Sequence, residues 1–191
     1  MLRQLLKLTF VFALLLTGLN LSAQKNVVFE LDGGYSMIGD NSQTGFGLNA
    51  DLGYTFWGRL TPTVGYQFHT FANQRNHYDT NANIDLAYFA VKVTALKFKW
   101  FSLDLGPLAF RRMWKQEYKV HDGYTVYKDG LTMDGNNIYS YYKPQWGYGG
   151  VAGVKFDLFK KSGVKLDVTY QIDTDRKDSM MFYSGGVFFR F

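Results

Sequence analysis

Three imidazoles, His69, His77 and His121, are the side chains of this sequence best suited to act as a general base, and none has a catalytic spacing. His69 sits between Phe68 and Thr70, His77 lies in the polar stretch 73–83, and His121 adjoins Asp122. No His-x-Ser pair and no nucleophile motif accompanies them, so the sequence does not read as an enzyme. The run Asp173-Thr174-Asp175-Arg176-Lys177-Asp178 is acidic but lacks the glycine and terminal glutamate of a calcium loop. With no cysteine there is no disulfide, zinc-thiolate site or lipid-anchored cysteine, and no cofactor is expected. The polar residues that do recur are spaced by two or its multiples: Glu30 and Asp32, Asn49 and Asp51, Gln67 and His69, Lys155 and Asp157, Lys165, Asp167 and Gln171, with Asp104 and Arg190 in similar settings. Period two places such residues on one face of a strand. If that face is enclosed, charges of both signs must pair and hydrogen-bond, because an unpaired buried charge costs several kcal/mol.

The elements that must carry this set are strands. The chain has 191 residues, 47% hydrophobic and 18% aromatic, with 20 glycines and only 3 prolines, a composition that suits one strand-rich domain. Residues 1–23 form a separate unit. Arg3 and Lys7 precede an almost unbroken apolar run over residues 8–19, and Leu21-Ser22-Ala23 ends in small residues. This is the pattern of a cleaved signal peptide, which leaves a domain of residues 24–191. The formal charge is +5, two of the cations lie in the leader, and the rest interleave with acids, so no basic stripe for nucleic acid is present.

Beyond the leader, apolar and polar residues alternate in eight segments. The clearest is 46–56, where Phe46, Leu48, Ala50, Leu52, Tyr54 and Phe56 oppose Gly47, Asn49, Asp51, Gly53 and Thr55. Segments 164–173, 146–158 and 181–191 repeat it, and 27–35, 60–68, 84–93 and 101–109 are weaker versions. Within 84–93 the apolar set Ile84, Leu86, Tyr88 changes parity to Phe89, Val91, Val93, which reads as a bulge or as a misassigned register. Connections alternate between short (57–59, 96–99, 160–163) and mostly longer ones (37–44, 70–83, 111–145, 174–179). The expected fold is all-β, a closed eight-stranded antiparallel up-and-down transmembrane barrel with short periplasmic turns and longer extracellular loops.

Alternation alone does not say which face lines the barrel. The glycines Gly47, Gly53, Gly65, Gly106, Gly147, Gly149, Gly153 and Gly186 share the polar face, and an eight-stranded barrel has room inside only for modest side chains. The rings of Tyr54, Phe56, Tyr66, Trp146, Tyr148, Tyr170, Tyr183, Phe189 and Phe191 share the other, which is then the outer, lipid-facing surface. The polar residues named above are placed in the lumen on this reading. A soluble exported barrel that binds a ligand among inward-facing rings is the inverted alternative.

Together, the leader ending, the repeated dyads and the last strand, Tyr183-Ser184-Gly185-Gly186-Val187-Phe188-Phe189-Arg190-Phe191, resemble the small eight-stranded outer-membrane barrels of Gram-negative bacteria, the group of the OmpA transmembrane domain and OmpX. The resemblance covers the whole mature chain and implies location in the bacterial outer membrane. It also implies that Val187, Phe189 and Phe191 serve as the signal read by the barrel assembly machinery.

The stretch 111–145 is the most distinctive, with Tyr118, Tyr124, Tyr127, Tyr139, Tyr141 and Tyr142 and three Asp-Gly turn signals. Exposed tyrosines there would suit an extracellular protein or glycan, and rings packed on one another would merely hold the loop folded. The expected function is that of a monomeric, non-enzymatic barrel with a structural or surface-binding role. A narrow pore, or a lateral route for small apolar compounds, is the second reading.

Overall fold

The computed structural model describes residues 26–39, 43–74, 77–128, 131–135, 138–174 and 178–191, so the expected signal peptide lies outside the described residues. Strands β1 (Val27–Ile38), β2 (Gln43–Tyr54), β3 (Leu60–Gln74), β4 (Tyr78–Lys97), β5 (Phe101–Val120), β8 (Ile138–Phe159), β9 (Ser162–Asp173) and β10 (Ser179–Arg190) form one closed antiparallel barrel. Each strand pairs with its neighbours in sequence, and β1 closes on β10 through the ladder from Val28↔Arg190 to Ile38↔Met180. A small hairpin, β6 (Thr125–Lys128) with β7 (Leu131–Asp134), is inserted between β5 and β8.

Orientation follows side-chain size and polarity. Most strand glycines and the polar side chains of Glu30, Asn49, Asp51, Gln67, Lys155 and Lys165 point inward, whereas Leu31, Leu48, Val64, Phe89, Leu105, Trp146, Leu166 and Val187 stand exposed on the outer wall. A monomeric soluble protein rarely exposes so continuous an apolar band.

Two expectations need correction. The parity change in 84–93 is not a bulge but a misassigned face: the β3–β4 ladder runs without a shift from Leu60↔Val93 to Gln74↔Asp79. Ile84, Leu86 and Tyr88 are simply apolar residues that face inward, in a cluster with Ile38, Phe71, Phe110, Trp114 and Met180 that fills the lumen's far half. The shift in β4 lies lower, between Thr94 and Leu96. The second correction concerns the loops. Most of 70–83 and 111–145 is strand, because β4, β5 and β8 run for 20, 20 and 22 residues, against 12 for β1, β2, β9 and β10. A barrel strand crosses a bilayer in about 9–11 residues. The three long strands therefore overshoot by roughly ten residues each and raise one side of the wall on the order of 25 Å.

The inner surface leaves little tolerance for volume. At Gly65 an added Cβ would lie 2.3 Å from Cζ of the Tyr88 ring, which lies across the strand at that point. At the outward Gly185 the nearest atom would be Cδ2 of Leu166 at 3.3 Å. We expect Gly65→Val to cost about 1–3 kcal/mol through overpacking and to deplete the compact, heat-modifiable gel form, with Gly185→Val migrating like the parent. Equal yields of compact form for the two variants would contradict this packing.

Candidate functional site

The lumen's charge cluster is built by alternation on six strands. Glu30 and Asp32 project from β1, Asn49 and Asp51 from β2, Lys92 from β4, Asp104 from β5, Lys155 from β8, and Lys165 and Asp167 from β9; all are buried. Lys155 Nζ lies 2.5 Å from Glu30 Oε1 and 2.7 Å from Asp104 Oδ2. Lys165 Nζ lies 2.6 Å from Glu30, 2.7 Å from Asp32 and 2.6 Å from Asp167. Lys92 joins Glu30 at 2.8 Å to Asp51 at 3.2 Å, and the Tyr88 hydroxyl donates to Asp51 at 2.7 Å. Three ammonium groups thus hold together carboxylates from four strands, and each ammonium is engaged by more than one carboxylate.

Above this cluster neutral amides and one buried guanidinium lie among the apolar residues of the lumen. Gln171 donates to Gln67 at 2.7 Å, and His69 Nδ1 lies 2.7 Å from the Ser36 hydroxyl and its Nε2 3.2 Å from Gln67. The Ser36–His69 contact is not an exposed nucleophile: both residues are fully buried, and the imidazole meets the Phe182 ring edge-on at 4.9 Å. Arg112, also fully buried, lies between the Phe110 and Trp114 rings, donates from Nε to Gln145 at 2.7 Å, and reaches Asp173, to which Gln145 also donates. At the short-turn mouth Arg190 pairs with Asp157 at 2.6 Å; both are partly exposed.

Residues Glu30, Asp32, Asn49, Asp51, Gln67, His69, Asp104, Lys155, Lys165, Asp167 and Gln171 therefore lie inside, and Asp157 and Arg190 form the rim. Sequence reasoning missed Lys92, Arg112, Gln145 and Asp173. The apparent parity change masks Lys92, although that lysine continues the inward series Ile84, Leu86, Tyr88, and Arg112 and Gln145 lie in the stretch 111–145, which reads as a loop in sequence and is mostly strand. The space left is small. A cavity of about 10 Å³, bordered by Asp32, Asn49, Asp51, Lys92, Asp167 and Thr169, has room for about one water.

The raised wall is a second candidate. Tyr118 and Val120 of β5 and Met133 of β7 are buried together, with Val126 and Tyr139 against them, so the small hairpin folds onto the inner face of the extension. The Tyr139 hydroxyl accepts from the Asp134 amide at 3.0 Å. Tyr124, Tyr127 and Tyr142 are exposed, and Tyr124 is tilted against His77 with ring centroids 4.4 Å apart. The side chain of Tyr141 lies outside the described residues. Of the six tyrosines, Tyr118 and Tyr139 thus pack the hairpin and three others face solvent. On the outer surface of β5 the Lys115 ammonium donates to the Glu117 carboxylate, which raises the lysine pKa above its ordinary value.

No protein-family model matches the sequence, and no curated protein aligns with it. Solved structures do match. Ail, the attachment invasion locus protein of Yersinia pestis, superposes with a TM-score of 0.54 at 14% identity, over 88% of this chain and 100% of that one. Ail in complex with the heparin analogue sucrose octasulfate gives 0.56 at 12% identity, over 87% and 99%. The outer membrane protein OprG of Pseudomonas aeruginosa gives 0.53 at 12% identity, over 87% and 97%. At these identities the likeness is one of fold.

Because Lys165 serves three carboxylates, Lys165→Met leaves buried anions without compensation. We expect a loss of about 3–5 kcal/mol in urea unfolding from lipid vesicles followed by tryptophan fluorescence. Lys115→Met, at a half-exposed pair, should change stability by less than about 1 kcal/mol. Similar midpoints for the two variants would refute the view that the charge cluster depends on Lys165 for its stability.

Proposed function

We propose that this chain, which has the fold of the small eight-stranded outer-membrane barrels, is an integral protein of a Gram-negative outer membrane. Its filled barrel is the rigid stem of a surface-binding element. The observation that carries the reading is the unequal wall: β4, β5 and β8 extend far beyond what a bilayer requires and support a hairpin that leaves tyrosines in solvent. The apolar outer belt suits hydrocarbon, and strands can cross hydrocarbon only when their sheet has no open edge. Val187 and Phe189 face outward on β10, where the assembly machinery would read them together with Phe191. The protein acts as a monomer and without catalysis.

An anionic glycan is the favoured extracellular partner. Exposed Tyr124, Tyr127 and Tyr142 offer flat stacking faces, Lys115 and Lys119 add cations on the outer side of β5, and the similar barrel Ail has been solved with a heparin analogue. The competing reading as an ion pore is disfavoured by the closely paired charge cluster and the buried apolar residues of the lumen, beside which the cavity at Asp32 and Lys92 has room for about one water.

Replacing residues 121–137 by a short Gly-Ser turn is expected to keep heat-modifiable folding and to weaken binding to immobilised sulfated polysaccharide at least tenfold. The triple variant Tyr124→Ala, Tyr127→Ala, Tyr142→Ala should do the same without shortening the chain. Undiminished binding in both would sink this role. In planar bilayers the reconstituted parent protein is expected to be electrically silent, and a steady unitary conductance would restore the pore reading.

A further inference from the structure

One sector of the outer wall departs from the uniform belt. Tyr66, Ala87, Arg111 and Trp146 are consecutive cross-strand partners on β3, β4, β5 and β8, all facing out. One rung nearer the short turns, Val64, Phe89, Ala109 and Tyr148 follow the same order. The two alanines lie diagonally on adjacent strands, so the wall is notched between Val64 and Phe89 on one side and Trp146 on the other. The notch is a trough of about 510 Å³, within the range of small-molecule sites. Arg111 borders the trough at its upper end, with its guanidinium over the Trp146 ring at 5.6 Å from the centroid. No carboxylate pairs with Arg111 among the described residues, and Asp85, one rung higher, accepts the Tyr66 hydroxyl. Lys115 and Lys119 continue the outward face of β5 above it, and Lys115 also lies near the Tyr142 ring.

We propose that this trough is a binding site for one phosphate-bearing glycolipid of the outer leaflet, with an acyl chain in the notch and a phosphate on Arg111. The inference rests on the outer-membrane reading above and deepens it by assigning a lipid to a particular sector. An apolar slot alone would take any chain. The guanidinium at the headgroup end supplies selectivity, because its planar fork pairs more strongly with a doubly charged phosphomonoester than with the singly charged phosphodiester of a phospholipid, and its stacking on indole fixes its position. A cation at this height, facing lipid, is also better stabilised by an anionic headgroup than by hydrocarbon.

The test uses the full mature protein in detergent, titrated with bisphosphorylated lipid A and read by native mass spectrometry. We expect one lipid A retained per barrel, with at least tenfold weaker retention of phosphatidylglycerol and of dephosphorylated lipid A. Ala109→Phe, which fills the notch from the outside, and Arg111→Gln should each lower lipid A retention at least tenfold and keep heat-modifiable folding. Ala87→Leu serves as a second notch variant if Ala109→Phe folds poorly. Retention that is indifferent to the phosphates, or to either kind of substitution, overturns the site. Insertion of the parent into lipid vesicles is scored separately: failure there refutes the membrane reading, whereas insertion without lipid A retention refutes the lipid site alone.

Discussion

The pairing of β1 with β10 is the constraint from which the rest of the molecule follows. An open sheet of eight strands would present two rows of unpaired backbone groups, and in hydrocarbon these have no water to turn to. The continuous ladder between the first and last strands removes both rows. Closure at this strand number also fixes a narrow interior, which decides what each inward residue can be. Bulk is pushed outward, where aromatic and branched side chains form the belt, and the inward positions that remain are divided between glycine, apolar packing residues and charges close enough to neutralise one another.

That division explains how the interior achieves order without a hydrophobic core of the usual kind. Lys92, Lys155 and Lys165 come from β4, β8 and β9, while their carboxylate partners come mainly from β1, β2, β5 and β9. Glu30, reached by all three lysines, ties distant parts of the sheet together across the barrel axis. Such ion pairs contribute modestly to net stability, since desolvation offsets much of their attraction. Their greater effect is on specificity: a strand displaced by one residue would send its charge onto the apolar outer wall and leave its partners unpaired.

Much of this was legible in the sequence because alternation is a direct imprint of a two-sided sheet. The glycine-and-acid face over 46–56 and the charged and amide face over 164–173 mark which side is confined, and the inward set Glu30, Asp51, Lys155, Lys165 follows from it. Legibility failed where the lumen stops being polar. Ile84, Leu86 and Phe110 face inward, so the contrast between faces fades and the same residues read equally well as an irregularity. It failed again beyond the apolar belt, in the extensions of β4, β5 and β8, where no outward apolar row marks the strand. Arg112 escaped notice for that reason: nothing local reveals that Gln145 and Asp173, 33 and 61 residues away, meet it in space.

The unequal strand lengths also bear on the order in which the barrel is built. The longest pairings, β4 with β5 and β5 with β8, join segments close in sequence or bridged by a hairpin, whereas the seam joins residues more than 140 positions apart, such as Ile38 and Met180. Loop-closure entropy penalises the distant contact most, so the tall hairpins zip early and the seam last. The final step then needs only two 12-residue edges to find their register, which shortens the search at the moment when unpaired edges are most hazardous.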